Sequence, residues 1–465
     1  MAWEPGPEHA DWSRAVGLTS EHADTLAAGK PCWDDLVQPE RGRVHQSIYT
    51  DPQIFGIELR RLFYENWFYV CHESQIALPG DYRTMSVGQV PLIATRDQDD
   101  AIHVLVNRCA HRGTTVCQQR TGNARFLKCE YHGWVYDSAG KLVGVSLREG
   151  FQPGELADVP AGLDHLPQVE RYRGCVFASF SAEVPSLASY LGPAARYLDD
   201  WADQSPTGSV RLRKVGWQHR YRGNWKLALE GSNEAYHPDF LHAVTWKLQQ
   251  RRREAAGKPG AIYRVAAQPA TGVDLGHGHS VVELPHIAAA ARERYPAAYV
   301  DELTGRLGRE RSDRVLGAPW RMTLMPNVAF SGENVRIFRP ITPELTEVEQ
   351  YFVELPDVPP ELNIYRAREE RVFYGPAGHG GPDDLEMFER QQEGFRTGAV
   401  GTLNPWVLMN RQVRAEQVRP DGSRTAHATS EIMQRGMYRG WLDLMHGPRT
   451  VPTGARSGAG SEVTP

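Results

Sequence analysis

The chain has 465 residues, 41% of them hydrophobic and 23% charged, with a formal net charge of -5 at pH 7. That length has room for two domains of ordinary size. The acidic balance and the scattered Lys and Arg argue against nucleic acid as a partner, and no apolar run reaches the ~20 residues that span a bilayer.

Residues 1–43 are expected to form an N-terminal arm packing on the second of the two domains. Their start, Met1-Ala-Trp-Glu-Pro5, has neither the basic end nor the apolar stretch of a signal peptide, so a cytoplasmic location is expected. Residues 44–185 read as a first, all-β domain of short strands. Pro91 to Thr95 and Ile102 to Asn107 flank the polar turn Arg96 to Asp100 as a hairpin, and Trp134 to Tyr136 with Lys141 to Val143 form another. Arg171 to Phe180 reads as a final strand. Residues 186–446 read as a second domain, α+β, with an antiparallel sheet flanked by helices. It opens on a helical spacing from Ser186 to Trp201, and residues 247 to 260 look like a solvated loop or lid. Val335 to Ile341 and Val348 to Leu355 alternate around a turn as a hairpin. Residues 447–465, almost without apolar side chains, are expected to be a disordered tail.

Two motifs carry chemistry. Cys109-Ala-His111 and Cys129-Glu-Tyr-His132 each offer one thiolate and one imidazole. In a Rieske [2Fe-2S] centre two cysteines hold one iron and two histidines the other. A structural zinc site uses the same atoms, but zinc fingers usually put the cysteines in one half and the histidines in the other, whereas here each half is mixed. Gly113 and Gly133 suit tight loops whose backbone N–H groups approach the sulfides. Both loops are expected at hairpin tips. Of the six cysteines, the remaining Cys32, Cys71, Cys117 and Cys175 read as small buried hydrophobes.

The second motif runs from Asn224 to His242. Glu234 and His237, three apart, share a face if the segment is helical, and Pro238 then frees His242 from a helical offset. Two histidines and a carboxylate make the triad that holds Fe(II) with positions left open for oxygen. The carboxylate is sought in Gly378 to Glu389, with Asp383 as helix cap, Glu386 as its capping partner and Asp384 as ligand. Gly276-His-Gly-His279 reads as a loop near the pocket mouth.

These stretches resemble the alpha, or large, subunits of the Rieske non-heme iron aromatic-ring-hydroxylating oxygenases. Asn107 to Gly113, Cys129 to Trp134, Asn224-Trp-Lys226, Glu234 to His237 and the closing Thr429 to Trp441 carry the resemblance. It implies that residues 44–185 are a Rieske domain with Cys109, His111, Cys129 and His132 on the cluster. Residues 186–446 are then the catalytic domain, with His237, His242 and Asp384 on the mononuclear iron. Glu234, Asp in many members, matches the acidic residue that links a cluster histidine of one subunit to an iron histidine of the next. Gly231 replaces a common Asn and implies a wider iron pocket.

The resemblance further implies a terminal oxygenase that uses O2 to hydroxylate an aromatic substrate. Its electrons come from NAD(P)H through a reductase or ferredoxin. It also implies a homotrimer, or a trimer with a small beta subunit. The wording of the ligand regions is nearest to oxygenases of aromatic carboxylates, whose carboxylate needs an arginine, Arg411 or Arg339. Alternatives are monooxygenation or oxidative demethylation of a non-ring substrate, a zinc hydrolase on the same ligands, and a non-catalytic electron carrier.

Overall fold

The structure is a computed structural model that describes residues 32–447 except 158, 256, 258–264 and 402. Most of the expected arm and nearly all of the expected tail lie outside the described residues.

The N-terminal strands are antiparallel throughout. One sheet runs in the order Ile102–Val106, Val90–Arg96, Asp81–Val87 and Thr121–Asn123. A second runs Leu142–Gly144, Val135–Asp137, Phe126–Lys128, and a third Gln168–Tyr172, Cys175–Ser179, Phe68–His72. Alternation explains the first of these: Asp81, Arg83, Met85 and Val87 point inward along one strand while their neighbours are half-exposed. The expected strand from Arg171 to Phe180 is instead a hairpin, because Arg173 and Gly174 adopt positive φ and turn the chain.

The second part is built on a ten-stranded antiparallel sheet of the described residues, to which Asn334–Thr342 and Leu345–Glu354 contribute a long hairpin toward one edge. Helices Trp225–Ser232, Pro360–Tyr374, Gly381–Phe395 and Ile432–His446 flank it. The fold is thus α+β: a mainly β unit, which departs from the all-β expectation in the helical stretches Ser47–Thr50, Pro52–Glu58 and Leu59–Tyr64, is followed by a helix-flanked antiparallel sheet. Ser186 to Trp201 is broken at Gly192-Pro193 into Leu187–Leu191 and Ala195–Ala202. The expected lid at 247–260 is mostly helix, Ala243–Ala255, with only its end irregular or outside the described residues.

One apolar cluster joins the two parts, running from Val70 and Leu92 to Trp225 and Trp441. At its centre Lys226 donates to Glu58 at 2.7 Å, both side chains fully buried. The indole N–H groups of Trp225 and Trp441 donate to the same carboxylate at 3.1 and 2.7 Å. Pairing and these bonds are what allow two charges to stay in an apolar interior. The described end of the arm packs on the second part: Trp33 meets Trp441 edge-on at 5.7 Å, and Arg43–His45 pairs with Trp406–Leu408. Cys71, Cys117 and Cys175 are buried as expected, but Cys32 is exposed.

Candidate metal centres

The two Cys/His loops are backbone copies of one another. Cys109 N–H donates to the Thr114 carbonyl at 2.8 Å and Gly113 N–H to the Cys109 carbonyl at 2.9 Å. Cys129 N–H likewise donates to Trp134 at 2.8 Å and Gly133 N–H to Cys129 at 2.9 Å. Gly113 and Gly133 carry φ of 75° and 71°, the left-handed backbone that a side chain would strain. The second loop tips the hairpin of Phe126–Lys128 with Val135–Asp137. The first does not tip a hairpin, since Ile102–Val106 and Thr121–Asn123 pair with different strands.

The loops bring their side chains together. The rings of His111 and His132 lie 4.6 Å apart, and His111 stacks on Trp134. Both Cys109 and Cys129 are buried. Burial pushes the Cys129 thiol up, so a thiolate there calls for a cation. His111 Nδ1 is buried with no hydrogen-bond partner, an atom in the condition a metal ligand leaves behind. Tyr136, a contributor that spacing alone did not mark, accepts from Ala110 N–H at 3.0 Å and donates to Cys109 Sγ at 3.1 Å. The donor set fits an iron-sulfur centre.

The second cluster forms where helix Trp225–Ser232 stops. Asn224 caps its start by accepting from Lys226 N–H, and Asn233 leaves helical geometry at its end. Contrary to the expectation from their spacing, Glu234 and His237 therefore do not share a helical face; a turn joins them. Glu234 accepts from the backbone N–H groups of Tyr236 and His237 at 2.9 and 2.6 Å and from His237 Nδ1–H at 2.7 Å. Pro238 starts the single turn Pro238–Leu241, which puts His237 and His242 at its two ends.

Their Nε2 atoms converge on Asp384 Oδ1, at 3.5 Å from His237 and 3.1 Å from His242. One ligand atom from each of the three lies within 4.8 Å of the others, the spacing of a metal site. The fit to a mononuclear iron includes its orienting bond: the non-ligating nitrogen of His237 is held by a carboxylate, which fixes the tautomer. Burial opposes both charges, yet the shared bond holds the Glu234 carboxyl below its usual range and raises the His237 imidazolium.

Asp384 stands in the first turn of Gly381–Phe395, as does Asp383. The expected capping by Asp383 is not found: the N-cap is Gly380, and no side chain caps this end.

A cavity of about 420 Å³ opens over the triad, with Trp246, Ile287 and Phe373 among its apolar walls. Gly231 does not widen it in the expected way, because the Phe388 ring occupies the space and a Cβ at 231 would lie 2.7 Å from it. Neither arginine proposed for a carboxylate lines the cavity. Arg411 lies over the Tyr236 ring and donates to Thr429 O, and Arg339 is spent on Gly88 O and Glu347. His279 is buried in a strand, within reach of Tyr190 O and accepting from Met325 N–H, so its loop is not the pocket mouth.

The sequence matches the Rieske [2Fe-2S] domain over residues 66–153 and the ring hydroxylating alpha subunit catalytic domain over residues 209–447. The chain belongs to the Rieske ring-hydroxylating oxygenases. This oxygenase is 32% identical to toluate 1,2-dioxygenase subunit alpha of Pseudomonas putida over 82% of this chain and 86% of that one. It is 31% identical to biphenyl 2,3-dioxygenase subunit alpha of Rhodococcus jostii over 94% and 98%. Among solved structures, naphthalene 1,2-dioxygenase with indole bound superposes with a TM-score of 0.75 at 25% identity, covering 88% of this chain and 93% of that one. The family uses a [2Fe-2S] cluster, a mononuclear iron, O2 and electrons from a reductase. No helix of the described residues is long and apolar enough to cross a membrane.

One further buried group went unread in the sequence. The Glu230 carboxylate accepts from Tyr49 and Tyr438 hydroxyls at 2.9 and 2.5 Å, and burial pushes it up to about 7. No motif signals it, since its partners are 181 and 208 residues away.

Proposed function

We propose that the oxygenase dihydroxylates an aromatic carboxylate. The observation that carries this reading is the convergence of His237, His242 and Asp384 at a cavity whose walls also hold arginine side chains. The names of relatives support it: toluate 1,2-dioxygenase at 32% identity, and the 2-halobenzoate and anthranilate 1,2-dioxygenases at 30%. We assign residues 44–185 to the Rieske unit and 186–446 to the catalytic unit, with residues 1–43 as an arm on the latter. The ligands are Cys109, His111, Cys129 and His132 for the cluster, and His237, His242 and Asp384 for the iron. Bound there, the cluster supplies single electrons and the iron activates dioxygen.

The chain's own residues do the rest. Glu234 holds the His237 proton on Nδ1 and so keeps Nε2 free for metal. Trp246, Phe373 and Ile287 exclude water and position the ring. Overall, one O2 and one NAD(P)H with a proton give a dihydrodiol carrying both oxygen atoms, and NAD(P)+. The reductase, or a ferredoxin between, docks on the Rieske unit. The assembly is a trimer in which a cluster histidine of one subunit faces Glu234 of the next; the relatives' names, subunit alpha and large subunit, support a second, smaller subunit.

The test is turnover of benzoate with a surrogate reductase and NADH, with products read by mass spectrometry. The native protein gives a dihydroxylated acid, and His237→Ala gives none while its cluster absorption stays intact. Unchanged turnover in His237→Ala, or a colourless protein holding only zinc, rules the reading out.

A further inference from the structure

The charged groups on the cavity wall are unequal in what they have left to bind. Arg366 is buried and already donates to the Val353 and Gly332 carbonyls. Arg321 donates to the carbonyls of Ala318 and Trp320 and stands 3.9 Å from Glu333. Arg294 is exposed and donates to the Tyr365 hydroxyl at 2.7 Å.

Arg336 differs. Its Nε is buried without an acceptor, and it ion-pairs with no carboxylate among the described residues. The guanidinium carbon lies over the face of the Tyr374 ring, 4.9 Å from its centroid. A buried guanidinium N–H without an acceptor costs more than an ordinary hydrogen bond contributes, so such a group calls for a partner that arrives from outside.

Its position is that of a substrate anchor. Arg336 stands on Asn334–Thr342, a strand inside the sheet, opposite Ala329 on one side and Gln350 on the other, so its backbone is fixed. It lines the cavity over the triad and also a second space of about 240 Å³, and Asp384 lines both. Of the acids lining the same cavity, Glu234 is engaged by His237, Asp384 faces both histidines, and Glu333 stands near Arg321. The exposed Glu369 acts on Arg294, and Glu370 accepts from Gln350 while also feeling the Arg336 charge without pairing with it.

We infer that Arg336 is the specificity-determining residue of this oxygenase, receiving the substrate carboxylate on its free guanidinium edge beside the iron triad. The planar fork matches a carboxylate with two parallel N–H donors, and the Tyr374 ring holds it from behind. The inference rests on the aromatic-carboxylate reading of the cavity. It replaces the sequence-based candidates Arg411 and Arg339, which face elsewhere.

The test is anaerobic titration calorimetry of the metal-loaded oxygenase with benzoate, its neutral isostere benzamide, and cationic benzylamine. The native protein prefers benzoate. Arg336→Gln lowers the benzoate-to-benzamide preference by about 10- to 100-fold, the range of one charge-assisted hydrogen bond or pair. Arg336→Lys, which keeps the charge without the fork, recovers part of it. Iron content and cluster absorption stay at native values in both variants. An undiminished preference in Arg336→Gln overturns the assignment, as does its loss in Arg294→Gln or Arg321→Gln instead. Equal loss of all three ligands together with iron shows a structural role and also overturns it. Better binding of benzamide or benzylamine than benzoate by the native protein defeats the carboxylate reading itself, while His237→Ala still tests the oxygenase.

Discussion

Replacing Glu234 by Gln probes how the chain holds the proposed iron without touching a proposed ligand. Oε1 accepts two backbone N–H groups and Oε2 accepts the imidazole proton of His237. In Glu234→Gln the single carbonyl oxygen serves the backbone pair, and an amide NH2 then faces His237 Nδ1–H, donor against donor. The conflict is relieved when the imidazole proton moves to Nε2, the atom that faces Asp384 Oδ1 at 3.5 Å, and there it blocks coordination. Loss of such an orienting bond typically costs about 10- to 100-fold in metal affinity, or roughly 1.4–2.8 kcal/mol. The assay is iron retained per chain after equilibration against a series of chelator concentrations, beside the rate at which the reduced cluster is reoxidised by O2 with benzoate present. Both fall in Glu234→Gln. Glu234→Asp keeps the charge and falls between. Native iron affinity in Glu234→Gln refutes the tautomer argument.

Lys226→Met strands Glu58 as an unpaired buried charge and costs about 3–5 kcal/mol, while adding Glu58→Gln recovers much of the loss; a double variant that melts no higher than the single contradicts this. Glu230, pushed by burial from 4.5 to about 7, keeps in the folded state a proton that the unfolded chain releases. Its contribution is therefore complete below pH 4.5 and lost as pH rises through 7, a change of about 3 kcal/mol by linkage. Melting temperatures measured from pH 5 to 8 fall in the native protein relative to Glu230→Gln, and parallel curves would show no such proton. Tyr136→Phe removes the donor to Cys109 Sγ, which destabilises the more negative reduced cluster. Its reduction potential drops by about 20–60 mV in a spectroelectrochemical titration, the equivalent of one weak hydrogen bond. A potential unmoved by the change places the hydroxyl off the ligand sulfur.

Legibility of the chain followed sequence distance. The Cys/His loops, the hairpins at 91–107 and 335–355, and the α+β division are local, and periodicity or fixed spacing carries each of them. Asp384 was reachable because a carboxylate was missing and acids cluster at one helix start. The errors mark where local rules compete. Asp383 looks like a cap, but Gly380 holds that place, and both aspartates turn toward the histidines. The run at 247–260 looks solvated because its face is basic, yet as far as Ala255 it continues the helix begun at Ala243. Arg336 could not be read at all. In sequence it is one arginine in an alternating strand, and only the pairing of partners elsewhere leaves it without an acceptor.

The measurement that tests the central claim most directly is a single turnover of the anaerobically reduced, metal-loaded protein mixed with benzoate and 18O-labelled dioxygen. The account predicts a dihydroxylated acid carrying two labelled oxygen atoms, formed as the cluster absorption returns to its oxidised state. Product without label, or a cluster that stays reduced while product forms, would contradict it.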